Sequence, residues 1–167
     1  MTVLILSGSQ GSGKSTIVGK IADAIPTNAV SADQYFTSPE GEYRFDFRKL
    51  GEAHAACMLR FVRAMQTVYN DRVVIVDNTN STALEIAPYY LVAKAFGHQV
   101  IHLTISAEPG SAHARNLHGV PLAGVTATAA RVEGLELPPF WEVDKHVAAS
   151  DDLYRMTGSQ IVDLLKL

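Results

Sequence analysis

Apolar and polar residues fall in blocks along the chain, and the blocks change period. Val3-Leu4-Ile5-Leu6 is an unbroken apolar run, the pattern of a strand buried on both faces, over residues 2–6. A helix is expected over residues 14–25, followed by a turn at Pro26-Thr27-Asn28 and a short strand at 29–31. Over residues 52–69 apolar side chains recur at Met58, Phe61, Val62, Met65 and Tyr69, the period of an amphipathic helix. Residues 72–76 do not alternate and read as a third buried strand. Thr82-Ala83-Leu84-Glu85 has the spacing of a capping box and opens a helix that Gly97 ends, with Pro88 predicting a kink or a restart inside it. A strand at 99–105, a helix at 109–116, a loop at 117–121 and a helix to about residue 133 follow. A strand near 143–148 and a helix at 159–165 complete the pattern. Strands alternating with helices predict an α/β fold, three-layered αβα, with a parallel sheet of roughly five strands.

Composition narrows this picture. A length of 167 residues suits one domain with one core. Hydrophobic residues at 47% and charged residues at 19% are ordinary for a globular chain. The apolar runs are too short to span a bilayer, and no basic stretch precedes the first of them, so a cytoplasmic protein without a membrane partner is expected. The single cysteine, Cys57, cannot form an internal disulfide and suits a reducing compartment. A net charge of −3 argues against a protein that coats nucleic acid, and leaves a short end or a single nucleotide as the nucleic-acid partner. Arg44, Arg48, Lys49, Arg60 and Arg63 form a local basic enrichment that reads either as a substrate groove or as a solvated helix face.

The strongest chemical signal is Gly8-Ser9-Gln10-Gly11-Ser12-Gly13-Lys14-Ser15, which matches G-x-x-x-x-G-K-[ST] in full between an expected strand and an expected helix. This is the loop of a P-loop NTPase fold. Its glycines let successive N–H groups turn inward, and the helix opening at Lys14 aims its positive end at phosphates. Gly8, Gly11, Ser12, Gly13, Lys14, Ser15 and Thr16 are the expected contacts to ATP, with Lys14 on the β- and γ-phosphates and the Ser15 hydroxyl on Mg²⁺. Val73-Val74-Ile75-Val76-Asp77 is an apolar strand ending in an acid, the form of a second Mg²⁺-orienting carboxylate; Asp77 or Asn78, with Asn80 beside them, either orders the metal's surroundings or caps the next helix. Asp33 follows the second strand, where a carboxylate either accepts a proton from an incoming hydroxyl or holds an Asx-turn. No Asn-Lys-x-Asp base-reading motif is visible, which favours ATP over GTP.

Together these residues resemble the polynucleotide 5′-hydroxyl kinase family. The resemblance runs from Gly8 to Thr16, through Asp33 and Asp77-Asn78-Thr79-Asn80, to Gly97 and Arg115-Asn116-Leu117-His118-Gly119-Val120-Pro121. Asp33-Gln34-Tyr35-Phe36 is similar to the Asp-x-Tyr-Phe segment of the small stand-alone members. The resemblance implies that Asp33 is the general base and that Arg115 lies over the transferring phosphoryl group, on a helical lid over residues 108–134. It also implies that Arg131 lies beside the adenine. Two departures concern the acceptor. Phe36 stands where the phage member has an acceptor-side arginine, and either stacks on a base or belongs to the core. His118 or Gly119 stands where a second lid arginine occurs. A phosphatase half, found in some members, is not read in these residues, so end-healing by this stretch alone is expected to be incomplete.

The remaining candidates read as structural. His54 is expected to pack or cap its helix, with a place facing the acceptor as the alternative, Cys57 to fill the core, and Trp141 to anchor packing. The sequence thus points to an ATP- and Mg²⁺-dependent kinase acting on a hydroxyl. The acceptor is a polynucleotide 5′ end, another nucleic-acid or nucleotide hydroxyl, or a small metabolite. A nucleotide-binding module without phosphotransfer and a hydrolase that delivers phosphate to water are the rivals.

Overall fold

The computed structural model describes residues 1–66 and 73–167. In chain order the elements are β1 (Thr2–Ser7), α1 (Lys14–Ala24), β2 (Thr27–Val30), α2 (Leu50–Gln66), β3 (Val73–Asp77) and α3 (Ala83–Ala95). Then come β4 (Gln99–Ser106), α4 (Pro109–Arg115), α5 (Leu122–Glu133), β5 (Asp144–Ala149), α6 (Ser150–Arg155) and α7 (Gly158–Leu165). Short 3₁₀ turns lie at Ala32–Tyr35 and Phe47–Lys49. The strands form one parallel sheet in the order β2-β3-β1-β4-β5. This is the α/β, three-layer P-loop NTPase architecture.

Each inner strand is apolar on both sides because helices cover both faces. Val3, Ile5, Val74, Val76 and Val100 pack with α2 and α3 residues such as Cys57, Phe61, Ile86 and Tyr89 on one face. Leu4, Leu6, Ile75, Ile101, Leu103 and Ile105 pack with Ile17, Ile21, Leu153, Ile161 and Leu165 on the other. Among the described residues no helix is long and apolar enough to cross a membrane.

Several local expectations change. β2 begins at Thr27, inside the expected turn, because residues 27–30 pair in register with β3. The inward seam of α2 is Ala53, Cys57, Phe61, Ala64 and Met65, so small residues supply part of a face read from large ones. The expectation at Tyr69 and a third strand starting at residue 72 lie outside the described residues. The Thr82–Glu85 capping box is formed, and α3 runs unbroken through Pro88. Pro88 and Leu84 are exposed, so the carbonyl left without its helical donor lies on a wet face. α6 was not foreseen, since only Ser150 and Leu153 of its six residues are buried.

Candidate nucleotide and phosphoryl-transfer site

The five strands of the described residues all run the same way, so the residues following β1, β2, β3 and β4 gather at one edge of the sheet. There they line a cavity of about 380 Å³, whose walls include Lys14, Asp33, Asp77 and Arg115.

The loop after β1 is held by backbone bonds. The Gly8 amide donates to the Thr79 carbonyl (3.0 Å), and the Ser12 amide to that of Ser9 (3.2 Å). The loop is packed tightly from outside: a Cβ on Gly11 would sit 1.9 Å from the Ala112 carbonyl oxygen, and one on Gly13 would sit 2.7 Å from the Tyr154 hydroxyl. Lys14 is buried, and its Nζ donates to the Gly8 and Ser9 carbonyls, each at 2.9 Å. Burial pulls its pKa down, while the charges of Asp77 and Asp33 oppose that pull. The Ser15 hydroxyl donates to Asp77 Oδ2 at 2.7 Å. Burial raises the Asp77 pKa against the opposing influence of Lys14 and Ser15. Asp33 also contributes to the shifts of both Lys14 and Asp77, so the three charges belong to one electrostatic cluster.

The residues fit a bound nucleotide and its metal. The loop leaves the buried Ser12 Oγ and Gln10 Oε1 without protein partners, and Ser15 and Asp77 present adjacent oxygens, the hard donors that Mg²⁺ takes. Thr16, exposed on the first turn of α1, lines the same cavity.

Asp33 is positioned from below by Asn78. Asn78 Oδ1 accepts from the Ala32 amide (2.9 Å), while its Nδ2 donates to the Tyr89 hydroxyl (3.3 Å). Buried Asn78 thus ties the end of β3 to the turn carrying Asp33. Ser31 Oγ accepts from the Asp33 amide (3.1 Å) and starts that turn. Asn80, at φ 43°, is buried and donates to the Leu6 carbonyl (2.7 Å).

Arg115 lies along the outer wall of the phosphate loop. Its Nε donates to the Gly11 carbonyl (3.3 Å), and its guanidinium stands 5.3 Å from the Tyr154 ring centre and 3.6 Å from Asp151. Arg131 stays outside the cavity wall, where it donates to Ser81 Oγ (3.3 Å) and Thr128 Oγ1 (3.0 Å).

One open reading closes and one expectation changes. Phe36 is a core residue: it is 6% exposed and meets Tyr35, Tyr43 and Phe45 edge-on, so no face remains for a base. His54 is exposed and lines the cavity, where helix packing had been expected. Arg44 and Arg48 pair with their near neighbours Glu42 and Asp46 at the surface, which is the solvated reading of that basic stretch. Tyr43, Phe45 and Leu50 also line the cavity and escaped the sequence reading, and Leu117 joins them from the Arg115–Pro121 stretch. The one available signal was the Pro39–Gly41 turn, which folds Tyr43 back to pair with Thr37.

A family profile described as AAA domain matches residues 3–118. The chain belongs to that family. The matched stretch of this AAA domain holds the phosphate loop, Asp33, Asp77 and Arg115. NEDD4-binding protein 2 of Homo sapiens is 30% identical over 131 residues, 75% of this chain and 7% of the human protein. The chain therefore spans a small part of that relative's length. Kti12 of Chaetomium thermophilum, solved in complex with ADP-AlF3, superposes over 98% of each chain at TM-score 0.60 and 15% identity. A gluconokinase from Sinorhizobium meliloti superposes over 99% of this chain and 94% of its own at TM-score 0.55 and 19% identity. These likenesses establish a shared P-loop NTPase fold.

Proposed function

We propose that the chain is an ATP- and Mg²⁺-dependent kinase acting on a hydroxyl acceptor, in the manner of polynucleotide 5′-hydroxyl kinases. One observation carries the reading: Asp33, a carboxylate outside the phosphate loop, lines the same cavity as Lys14 and Asp77 and shares their field. A nucleotide binder has no use for a second carboxylate there; a phosphotransferase needs one beside the acceptor oxygen.

Lys14 and the loop amides would hold the phosphates, and Ser15 with Asp77 would hold Mg²⁺, which when bound neutralises charge on the β- and γ-oxygens. Asp33 takes the proton of the acceptor hydroxyl as its oxygen bonds to the γ-phosphorus. The bond from that phosphorus to the bridging oxygen breaks, and ADP leaves. Arg115, on the α4–α5 hairpin acting as the lid, offsets charge developing beside the loop. Arg131 is assigned to the adenine side of the same hairpin.

The acceptor wall favours a nucleoside end. Tyr43 and the half-exposed Phe45 offer aromatic surface on which a base can stack, beside Leu50 and His54. The ADP-AlF3 complex of Kti12 and the gluconokinase, both built on this fold, support nucleotide use and hydroxyl phosphorylation respectively. A cytosolic setting goes with this function and its ATP supply.

The test uses γ-labelled ATP, Mg²⁺ and single-stranded oligonucleotides with 5′-hydroxyl or 5′-phosphate ends. Label is expected on the 5′-hydroxyl strand alone, and Asp33→Asn should lower transfer by about 10²-fold or more, the range of general-base loss. Undiminished transfer in Asp33→Asn would overturn the assignment of the base, and absence of label on every strand would overturn the polynucleotide acceptor.

A further inference from the structure

Side chains from three separate stretches of chain meet in the cavity wall. Asp33 sits on the 3₁₀ turn after β2. Tyr43 returns to it because the chain reverses at Ser38–Gly41 and Thr37 pairs with Tyr43. His118 arrives from the loop between α4 and α5, where its amide donates to Asn116 Oδ1 (3.0 Å) and Asn116 Nδ2 donates to the Val120 carbonyl (2.9 Å). The Tyr43 hydroxyl donates to Asp33 Oδ1 at 3.1 Å. His118 Nε2 stands 3.7 Å from Asp33 Oδ2, and the His118 and Tyr43 ring centres are 4.7 Å apart.

We propose that Tyr43 and His118 form a clasp on Asp33 in which Tyr43 aims the carboxylate and His118 shields its second oxygen from water until an acceptor hydroxyl takes that place. This rests on the reading of Asp33 as the general base.

The two contacts differ in kind. The Tyr43 contact is a hydrogen bond, and its ring is braced against Phe36 with 6.3 Å between centres. Burial, with the neighbouring Asp33 charge and hydrogen bond, pushes the Tyr43 pKa well up, so the hydroxyl remains a donor through the neutral range. The Asp33 side chain is half exposed on a short turn, and without Tyr43 it gains rotameric freedom. The His118 contact is too long for a hydrogen bond and within reach of an ion pair, so an incoming hydroxyl can displace it. The clasp also joins the acceptor side to the α4–α5 hairpin, so entry of the acceptor is felt by the segment carrying Arg115.

The readout is the partition of ATP between acceptor and water, a quantity that a merely structural role would leave unchanged. ADP formation and label transfer are measured with and without a 5′-hydroxyl oligonucleotide, for Tyr43→Phe, His118→Ala, His118→Gln and Asp33→Asn, with thermal melts to confirm folding. Tyr43→Phe should lower kcat for transfer about tenfold and leave the acceptor KM within about twofold, a modest loss for misaiming a reactive group. His118→Ala should raise acceptor-independent ADP formation about threefold or more and lower transfer per ATP. His118→Gln, whose amide reaches the same carboxylate, should restore most of the partition.

Loss of transfer in Asp33→Asn, with Tyr43→Phe and the His118 variants unchanged in partition, overturns the clasp and leaves the base assignment standing. Undiminished transfer in Asp33→Asn overturns the base assignment and the clasp with it. If the wild type labels no oligonucleotide, a rise in ADP formation in His118→Ala still supports the shield, and no rise overturns it.

Discussion

The two ends of the cavity are built by different means. The phosphate end is largely backbone, contributed by one continuous loop and tied by amide bonds within it and to the Thr79 carbonyl after β3, with Lys14, Ser15 and Asp77 adding side chains. The end proposed for the acceptor is lined by Asp33, Tyr43, Phe45, His54 and His118, brought from separate segments. A backbone site is specified locally, because residue type at each loop position decides whether the turn can form. A side-chain site is specified by topology, because distant segments must arrive together. On the proposed function, ATP is held by the locally specified end and the acceptor is selected by the end that topology assembles.

The sharpest test of the contrast is Lys14→Ala. Lys14 is the buried cation facing both Asp77 and Asp33. Its loss should reduce ADP formation by about 10²–10³-fold with or without acceptor, the range for removing one preorganised charge-stabilising donor. Steady-state kinetics at saturating acceptor measures this. A defect confined to the acceptor-dependent rate would show that the phosphate end is not a self-contained unit.

A smaller effect should separate two glycines of similar backbone. Gly11, in the phosphate loop, has φ 74°, and Gly41, in the turn before Tyr43, has φ 86°. Alanine at either site carries the left-handed penalty of about 1–2 kcal/mol. Only at Gly11 would the new Cβ also collide with backbone, at Ala112, whereas at Gly41 nothing lies within 4 Å. Gly11→Ala should therefore be destabilised by at least about 1 kcal/mol more than Gly41→Ala in denaturant melts, the cost of overpacking. Equal losses would mean that the loop and α4 part easily and that the tight packing has no energetic weight.

The same division governs how much was legible in the sequence. The phosphate loop, β1, β3 with its terminal Asp77, and the α3 capping box were readable because each is a pattern among near neighbours. The small residues Ala53 and Cys57 hid part of the buried seam of α2, since only packing shows that they face inward. α6 was invisible because six residues with one buried leucine carry no period. Tyr43 and Phe45 were missed because their place depends on a chain reversal, and an aromatic residue lining a cavity looks like one in a core until both are packed. Phe36 shows the converse: two readings stood open at the level of residues, and burial against Tyr43 and Phe45 selected the core. His54 went astray for the same reason, as position on a helix does not tell which neighbour the helix faces.

Two histidines carry the contrast to its smallest measurable effect. His118, at the acceptor end, is partly exposed beside Asp33. His102, beneath the phosphate end, is 4% exposed, with Nε2 2.7 Å from Ser7 Oγ. Ser7 gives its single proton to the Asn80 carbonyl at 2.7 Å. His102 must then supply the hydrogen of its own contact from Nε2, which its neutral ring does with the proton on that nitrogen. This chain of bonds holds Asn80 in its left-handed conformation and so supports the loop that accepts from Gly8. Burial first, and then the Lys145 charge, depress the His102 pKa to about 4. The unfolded value is about 6.5, so below that pH the unfolded chain binds a proton that the folded chain refuses. Stability is therefore complete above about pH 6.5 and falls as the pH drops toward 4. Between pH 7.5 and 5.5 the loss assigned to His102 is about 1 kcal/mol. Urea melts at the two pH values should show that share of the slope vanish in His102→Gln, which cannot titrate. An unchanged slope in His102→Gln would mean that His102 is not the neutral donor and that the phosphate end rests on its loop alone.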